Sequence, residues 1–311
     1  MIIRATAVWA VLVWPAAALA DLAFITNQGS EDLSVVDLDQ GAVLHTTPIG
    51  GKPAGVAVSP DGRAVYVVSP EGKYVSVLDN RGKEVLRRIA LDGGPLGIAV
   101  HPSGELIYVA DWYGARVWMI HPDAGIVGEI ATGSSPSGIA VTPDGALVLS
   151  ADRDSDQVTL ADARTGAVLG QVKVGVRPFG ITIGPEGKRA FTADVGSNSV
   201  TVVDIADAAV IGSVPTGERP YAVAFAAGKG FATDQYADTV TVFDASTLAP
   251  LGKIDSGEYP EGIATTSDGQ RVIVANWFSN TISVIDASKQ LVIDEIEVGD
   301  GPRAFGAFIL P

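Results

Sequence analysis

A proline recurs along the chain at intervals of 40 to 42 residues, and this period constrains the fold more than any other feature. A repeat of this length is typical of solenoids and propellers. After each proline, small and large residues alternate, as in Gly97-Ile98-Ala99-Val100. Alternation with a period of two predicts a β-strand. The seven prolines are Pro53, Pro95, Pro136, Pro178, Pro220, Pro260 and Pro302.

The rest of each repeat predicts three further strands. A tight turn such as Pro60-Asp61-Gly62 follows the first strand. The second strand ends in Asp or Asn, as at residues 108–111, and the third reads Val-x-Val-x-Asp, as at residues 200–204. A fourth apolar strand leads to the next glycine. Four strands in seven copies predict an all-β fold, a seven-bladed β-propeller of four-stranded antiparallel blades.

The two ends of the chain predict how the ring closes. Residues 1–20 combine a basic start, an apolar run and Ala18-Leu19-Ala20, a pattern typical of a secretory signal peptide cleaved near Ala20. We therefore expect one propeller domain over residues 21–311, located in the periplasm or secreted. It begins in a second strand and ends just after a first strand at residues 303–308. This register predicts a three-plus-one clasp between the N- and C-termini.

Composition excludes several kinds of site. The chain has no cysteine, which excludes disulfides, thiolate metal sites and covalently attached c-type haem. Removal of Arg4 with the signal peptide would leave 20 basic against 36 acidic residues, a net charge of −16. Such a surface disfavours nucleic acid. The three histidines, His45, His101 and His121, are predicted to lie away from the loops discussed below, so we predict no metal and no cofactor.

The strand ends, the Pro-Asp-Gly turns and the Val-x-Val-x-Asp strands resemble the YVTN-type β-propeller repeat over the whole of residues 21–311. The chain lacks the Gly-His and Trp-Asp pairs of WD40 repeats. The resemblance extends to the YncE-like periplasmic propeller group, which implies an exported protein. Some relatives occur near quinoprotein dehydrogenases and c-type cytochromes, which implies a role accessory to such an oxidation system.

Candidate binding residues come from two sets of loops that a propeller opens on one face. Arginines in these loops suit a carboxylate or phosphate, and large aromatics suit recognition. The alternatives are that the arginines pair with the neighbouring carboxylates Glu218, Glu258, Glu261 and Asp300, and that the aromatics plug the funnel or cover adjacent blades. The loops between blades supply Lys52, Arg177, Phe179, Arg219, Tyr221, Tyr259, Glu261 and Arg303. The loops between second and third strands supply Trp112, Tyr113, Tyr236, Trp277 and Phe278.

Three functions are compatible with this pattern. The first is a noncatalytic, monomeric binding or scaffold protein for a protein partner or a small ligand, with no catalytic residue and no membrane span. The second is a metal-dependent hydrolase or lactonase that uses carboxylates such as Asp234 and Glu261 at the channel mouth. The third is single-stranded nucleic-acid binding, which the negative charge disfavours.

Overall fold

Seven four-stranded antiparallel sheets form the part of the chain that the computed structural model describes, residues 21–310. The predicted signal peptide, residues 1–20, lies outside the described residues. In six of these sheets the strands are hydrogen-bonded in sequence order, and in the seventh the last strand of the chain precedes the first three. The first strands of neighbouring blades contact one another around a central channel. The predicted seven-bladed propeller is confirmed.

The first four blades cover the N-terminal part of the ring. Blade 1 contains β1 (Leu22–Asn27), β2 (Asp32–Asp37) and β3 (Ala42–Pro48). Blade 2 contains β4 (Val56–Val58), β5 (Ala64–Ser69), β6 (Tyr74–Asp79) and β7 (Val85–Ala90). Blade 3 contains β8 (Pro95–Val100), β9 (Ile107–Asp111), β10 (Arg116–His121) and β11 (Gly125–Ala131). Blade 4 contains β12 (Pro136–Val141), β13 (Leu147–Asp152), a 3-10 turn (Arg153–Ser155), β14 (Gln157–Asp162) and β15 (Val168–Lys173).

The remaining blades complete the ring. Blade 5 contains β16 (Pro178–Ile183), β17 (Arg189–Asp194), β18 (Ser199–Asp204) and β19 (Ala209–Pro215). Blade 6 contains β20 (Pro220–Ala226), β21 (Lys229–Asp234), β22 (Thr239–Asp244) and β23 (Pro250–Asp255). Blade 7 contains β24 (Pro260–Thr265), β25 (Arg271–Asn276), β26 (Thr281–Asp286) and β27 (Leu291–Glu297). The last strand, β28 (Ile309–Leu310), returns to blade 1.

The small residues of the first strands are required by close packing at the axis. A Cβ added at Gly138 would lie 2.7 Å from the Phe179 carbonyl oxygen, and one at Gly180 would lie 2.5 Å from that of Tyr221. Each of these contacts joins one blade to the next. The alternation of small and large residues therefore lets the backbones of neighbouring blades approach while the larger side chains fill the space between sheets.

The three-plus-one clasp is confirmed, but the strand that closes blade 1 is residues 309–310, whereas the sequence placed it at residues 303–308. Strand β28 pairs antiparallel with β1, and the Phe24 N–H donates to the Phe308 carbonyl at 2.9 Å. Before this ladder begins, the chain turns toward β4, where the Val56 N–H donates to the Phe305 carbonyl at 3.1 Å. Gly306, at φ +135°, lies within this detour. Only glycine adopts such a conformation readily, so this residue allows the final strand to serve two blades.

Candidate functional site

Buried polar residues at the ends of the second strands hold the loops of one channel mouth. The Asp194 carboxylate accepts hydrogen bonds from Thr192, Ser199 and Thr201, the last at 2.6 Å. In the same repeat position of blade 7, the Asn276 amide donates to the hydroxyls of Thr281 and Ser283. The hydrogen bonds of these residues hold the second strand to the third and so stabilise the blade.

Two other aspartates of this position also anchor the loop through which the chain enters their own blade from the preceding one. Asp152 accepts the Gly133 N–H and Asp234 accepts the Gly217 N–H, both at 2.9 Å. Burial raises the pKa of Asp152, Asp194 and Asp234, and for Asp194 the pKa reaches about 6, although the hydrogen bonds oppose the rise. These carboxylates therefore stabilise the loops beneath the mouth through their hydrogen bonds.

The loops between blades are fixed by a second repeated contact. The residue before the proline has a left-handed backbone, with φ of 55° at Arg177, 56° at Arg219 and 60° at Tyr259. Its N–H donates to a side chain in the preceding loop of the same mouth; for Arg219 the acceptor is the Asn198 Oδ1 at 2.9 Å. Non-glycine residues hold this conformation only when their surroundings enforce it. The mouth therefore presents its side chains from a rigid frame.

These loops enclose a cavity of about 380 Å³ at the mouth, which we call the cup. Its walls come from two repeat positions, one directly after the Asp or Asn that ends each second strand and one directly after the proline between blades. Arg219 and Tyr259, each directly before a proline, and Phe278 complete the rim. The lining residues are Gln28, Trp112, Arg153, Phe179, Val195, Arg219, Tyr221, Gln235, Tyr259, Glu261, Trp277, Phe278 and Arg303.

Three aromatic rings form the floor of the cup. Phe179 contacts Tyr221 and Phe305 with ring centroids 4.5 and 5.2 Å apart, and Tyr221 lies 5.4 Å from Phe305. All three residues are buried. On the far side of the floor, Phe305 lines a separate apolar cavity of about 560 Å³ between the first strands. The floor thus divides the channel into a polar cup and an apolar funnel.

One wall of the cup carries a buried ion pair. The Arg303 Nε donates to the Glu261 Oε2 at 2.7 Å, and the Gln235 Nε2 donates to the Glu261 Oε1 at the same distance. The Arg303 Nη1 also donates to the Gln28 Oε1 at 3.3 Å. Burial raises the pKa of Glu261, and the charge of Arg303 opposes this rise. Both oxygens of Glu261 are therefore engaged, and the pair neutralises itself.

A second arginine of the cup, next to Gln235 along the same mouth, has no such partner. Arg219 lies over the Tyr236 ring at 4.3 Å from its centroid and forms no ion pair with any residue between 21 and 310. Its buried Nε has no hydrogen-bond partner. Beside it, Tyr236, Tyr259 and Phe278 form a row with centroids 5.4 and 4.8 Å apart. Burial raises the pKa of Tyr259 to about 12, so its hydroxyl stays protonated.

A second hollow of about 660 Å³ adjoins the cup on the side of blades 2 and 3. The two cavities share Gln28, Trp112, Phe179 and Arg303. Tyr113 lies in this second hollow and is 83% exposed. The mouth therefore offers a compact cup with a wider, more open annex.

The structure brings most of the predicted site residues together. Nine of the thirteen line the cup, Tyr113 lines the annex, and Tyr236 supports Arg219 and Tyr259. Lys52 and Arg177 line neither cavity. Lys52 pairs with Glu31 at 3.2 Å, and the Arg177 side chain is exposed. The nine are Trp112, Phe179, Arg219, Tyr221, Tyr259, Glu261, Trp277, Phe278 and Arg303.

Sequence reasoning missed four lining residues because it selected by residue type. Gln28, Arg153, Val195 and Gln235 each directly follow the Asp or Asn at the end of a second strand. Trp112 and Trp277 hold the same position and were selected as aromatics. Repeat position alone would have identified all six, since equivalent positions in a propeller face the same mouth.

The two carboxylates considered for a metal-dependent hydrolase, Asp234 and Glu261, are both engaged by groups of the protein. Between residues 21 and 310, no three His, Cys, Asp or Glu side chains lie close enough to share a metal ion. The oxygens of Asp234 accept bonds from Gly217, Thr239 and Thr241, and those of Glu261 are engaged as described above. Within the same range, no helix has the length and apolar character to cross a bilayer.

No protein-family model matches the sequence, and no curated protein is similar to it. Solved structures share the fold. Hydrazine synthase from Kuenenia stuttgartiensis superposes with a TM-score of 0.73 and 19% identity, over 82% of this chain and 89% of that one. A functionally unknown protein from Desulfotomaculum acetoxidans DSM 771 gives a TM-score of 0.80 and 16% identity, over 90% and 98%.

A third similar structure is the dihydro-heme d1 dehydrogenase NirN in complex with DHE, with a TM-score of 0.70 and 16% identity. The match covers 89% of this chain but 63% of NirN, so this chain spans less than two thirds of that protein. At such low identities these likenesses show the propeller fold, and the specific resemblance to YVTN repeats stays a prediction.

Proposed function

We propose that this protein is an exported, noncatalytic binding protein that holds a small ligand in the cup at the mouth of its channel. The observation that carries the proposal is a concave cavity that opens at the channel mouth, with aromatic rings and hydrogen-bonding groups in its walls. Small-molecule sites are typically concave and largely apolar, with a few placed polar groups and volumes of roughly 300–1,000 Å³. The cup, at about 380 Å³, has these properties.

The chemistry of the lining supports binding over catalysis. No Ser, Thr, Cys, His or Lys side chain lines the cup, and its one carboxylate, Glu261, is held by Arg303 and Gln235. Acid-base catalysis needs a group positioned to give or take a proton, and covalent catalysis needs an activated nucleophile. The His101 imidazole contacts Ser103 and the Gly145 carbonyl at a hairpin turn, away from this mouth.

The rim supports the same proposal. Tyr113 and Phe278 are 83% and 62% exposed, and Tyr236, which is 48% exposed, belongs to the same row of rings as Phe278. Exposed aromatics gathered around a cavity are typical of recognition surfaces. The structural neighbour NirN was solved in complex with DHE, so a propeller of this shape is compatible with a small ligand. A location in the periplasm, and a role accessory to a quinoprotein or cytochrome c system, remain parts of the proposal.

The test is a thermal-shift screen of residues 21–311 against a metabolite library, followed by calorimetry on each hit. Phe278→Ala removes a rim aromatic of the cup, and Leu169→Ala removes a similarly exposed apolar side chain on the outer strand β15. We expect ligands to bind the wild type and L169A equally and F278A several-fold more weakly. A library without hits, or equal losses in both variants, would contradict the proposal.

A further inference from the structure

Two polar side chains of the cup, Arg219 and Tyr221, carry groups that form no hydrogen bond with the rest of the described protein. Three arginines line the cup. Arg303 is neutralised by Glu261 and Arg153 pairs with Asp154, with a nitrogen 2.6 Å from the carboxylate. Arg219 has no ion pair among the described residues, and its guanidinium donates no hydrogen bond to them. The cup therefore carries one positive charge that the protein itself does not balance.

A second observation at the same place is independent of Arg219. Tyr221 lines the cup and is 3% exposed, yet its buried hydroxyl has no hydrogen-bond partner. The hydroxyl lies within reach of Arg303 and Glu261, but among the described residues it forms a well-aligned hydrogen bond with neither. A buried polar group without a partner is costly, and nearly all such groups in folded proteins are satisfied. Two unsatisfied groups, the Arg219 Nε and the Tyr221 hydroxyl, thus belong to side chains of one small cavity.

The residues around the Arg219 Nε and the Tyr221 hydroxyl indicate which kind of ligand could form hydrogen bonds with them. Trp112, Phe179 and Trp277 line the same cavity, and an aromatic lining of this kind suits a flat unsaturated body. The guanidinium fork of arginine matches the two oxygens of a carboxylate, and a tyrosine hydroxyl can donate to the same anion. The protein as a whole is acidic, so attraction of an anion must come from this local charge.

We infer that the ligand of the cup is an aromatic or otherwise flat organic carboxylate, with its carboxylate bound by Arg219 and Tyr221 and its ring held among Trp112, Phe179 and Trp277. This inference rests on the proposed function and names the chemical class of the ligand. Arg219 reaches the ligand by turning its guanidinium from the Tyr236 ring, because its Nε is closed off from solvent in the unliganded protein.

Calorimetry with three matched pairs tests the inference: benzoate, cinnamate and 2-naphthoate, each against its neutral amide. Each amide keeps the ring and removes the charge. For the acid that binds best, we expect a Kd at least about tenfold lower than that of its amide, since charge-assisted hydrogen bonds are stronger than neutral ones. In Arg219→Gln this preference should fall below about threefold, and Arg219→Lys should retain part of it.

Arg177 provides the matched control. It occupies the same repeat position as Arg219, precedes a proline and has the same left-handed backbone, but it lines neither cavity. Arg177→Gln should keep the full preference for the acid. Tyr221→Phe should weaken binding of the acid about fivefold while leaving the melting temperature of the unliganded protein unchanged or higher, because it removes an unsatisfied hydroxyl. A merely structural tyrosine would lower the melting temperature instead.

The outcomes separate this inference from the proposed function. Equal affinity for acids and amides, with F278A still weakening both, would overturn the carboxylate assignment and leave a binding cup for neutral ligands. Equal loss of preference in R177Q and R219Q would overturn the placement of the anion at Arg219. Absence of binding by all six compounds would overturn the inference, and the proposed function would fall with it only if the metabolite screen also gave no hit.

Discussion

Replacement of Asp194 by Asn should remove the pH dependence of stability that arises at this buried position. Burial raises the pKa of Asp194 from its ordinary value of 3.8 to about 6. A carboxyl whose pKa is higher in the folded than in the unfolded state favours folding while protonated, and this contribution is lost as the pH rises through the folded value. The wild type therefore loses stability at this site between about pH 4 and pH 6, and D194N does not.

The size of the effect follows from the two pKa values. Their separation, at about 1.36 kcal/mol per pKa unit, corresponds to about 3 kcal/mol between the acidic and neutral limits. The substitution itself has a precedent in the molecule, because Asn276 occupies the same position in blade 7 and donates to Thr281 and Ser283. D194N should therefore fold, with its amide facing Ser199 and Thr201.

Urea denaturation followed by tryptophan fluorescence, at intervals from pH 4 to pH 8, measures the free energy of unfolding of both proteins. The free energy of unfolding of the wild type minus that of D194N should fall by up to about 3 kcal/mol as the pH rises, and it should level off above pH 7. Asp244→Asn is the control of opposite sign, because hydrogen bonds from Thr247 lower the pKa of exposed Asp244. A flat or rising difference for D194N would refute the reasoning.

Three further predictions concern the ion pair, the clasp and the cleavage of the signal peptide. Arg303→Met leaves the carboxylate of Glu261 buried without its cation and should lower the free energy of unfolding by about 3–5 kcal/mol. Glu261→Gln should lower it by less, because Arg303 is partly exposed. Equal losses for the two variants in urea denaturation would contradict this asymmetry. Gly306→Ala should destabilise the protein by more than about 1 kcal/mol, because φ is +135° and a Cβ would collide with the Val56 carbonyl oxygen; an unchanged melting temperature would count against it. N-terminal sequencing of protein from the periplasm should read from Asp21, and an intact Met1 would refute cleavage.

The architecture was predictable because its signals are local and repeated. The prolines, the turns such as Pro60-Asp61-Gly62 and the alternating strands each determine a short segment, and seven copies leave little room for another fold. Closure by the termini followed from the register of the same repeat. The detour at Gly306 did not, because a glycine in one copy carries no sign of which neighbouring blade its backbone will contact.

The site was predictable in outline but not in detail. The two repeat positions that face the mouth are visible in the sequence, and selection of arginines and aromatics within them identified most of the cup. The direction of a long side chain depends on its neighbours, so Arg177 and Arg219 are equivalent in sequence yet only Arg219 lines the cavity. Phe305 could not be assigned to the floor because its place depends on the register of the final strand.

The origin of the floor has a consequence for how the protein matures. Phe305 comes from the last few residues of the chain, and the same segment closes the ring by pairing with β1 and β4. A chain that is not yet complete, or that has been clipped near its C-terminus, lacks both the seal and the base of the cup. If the cup binds a ligand as proposed, binding should therefore require the complete, closed ring, and occupancy of the cup would report that assembly is complete.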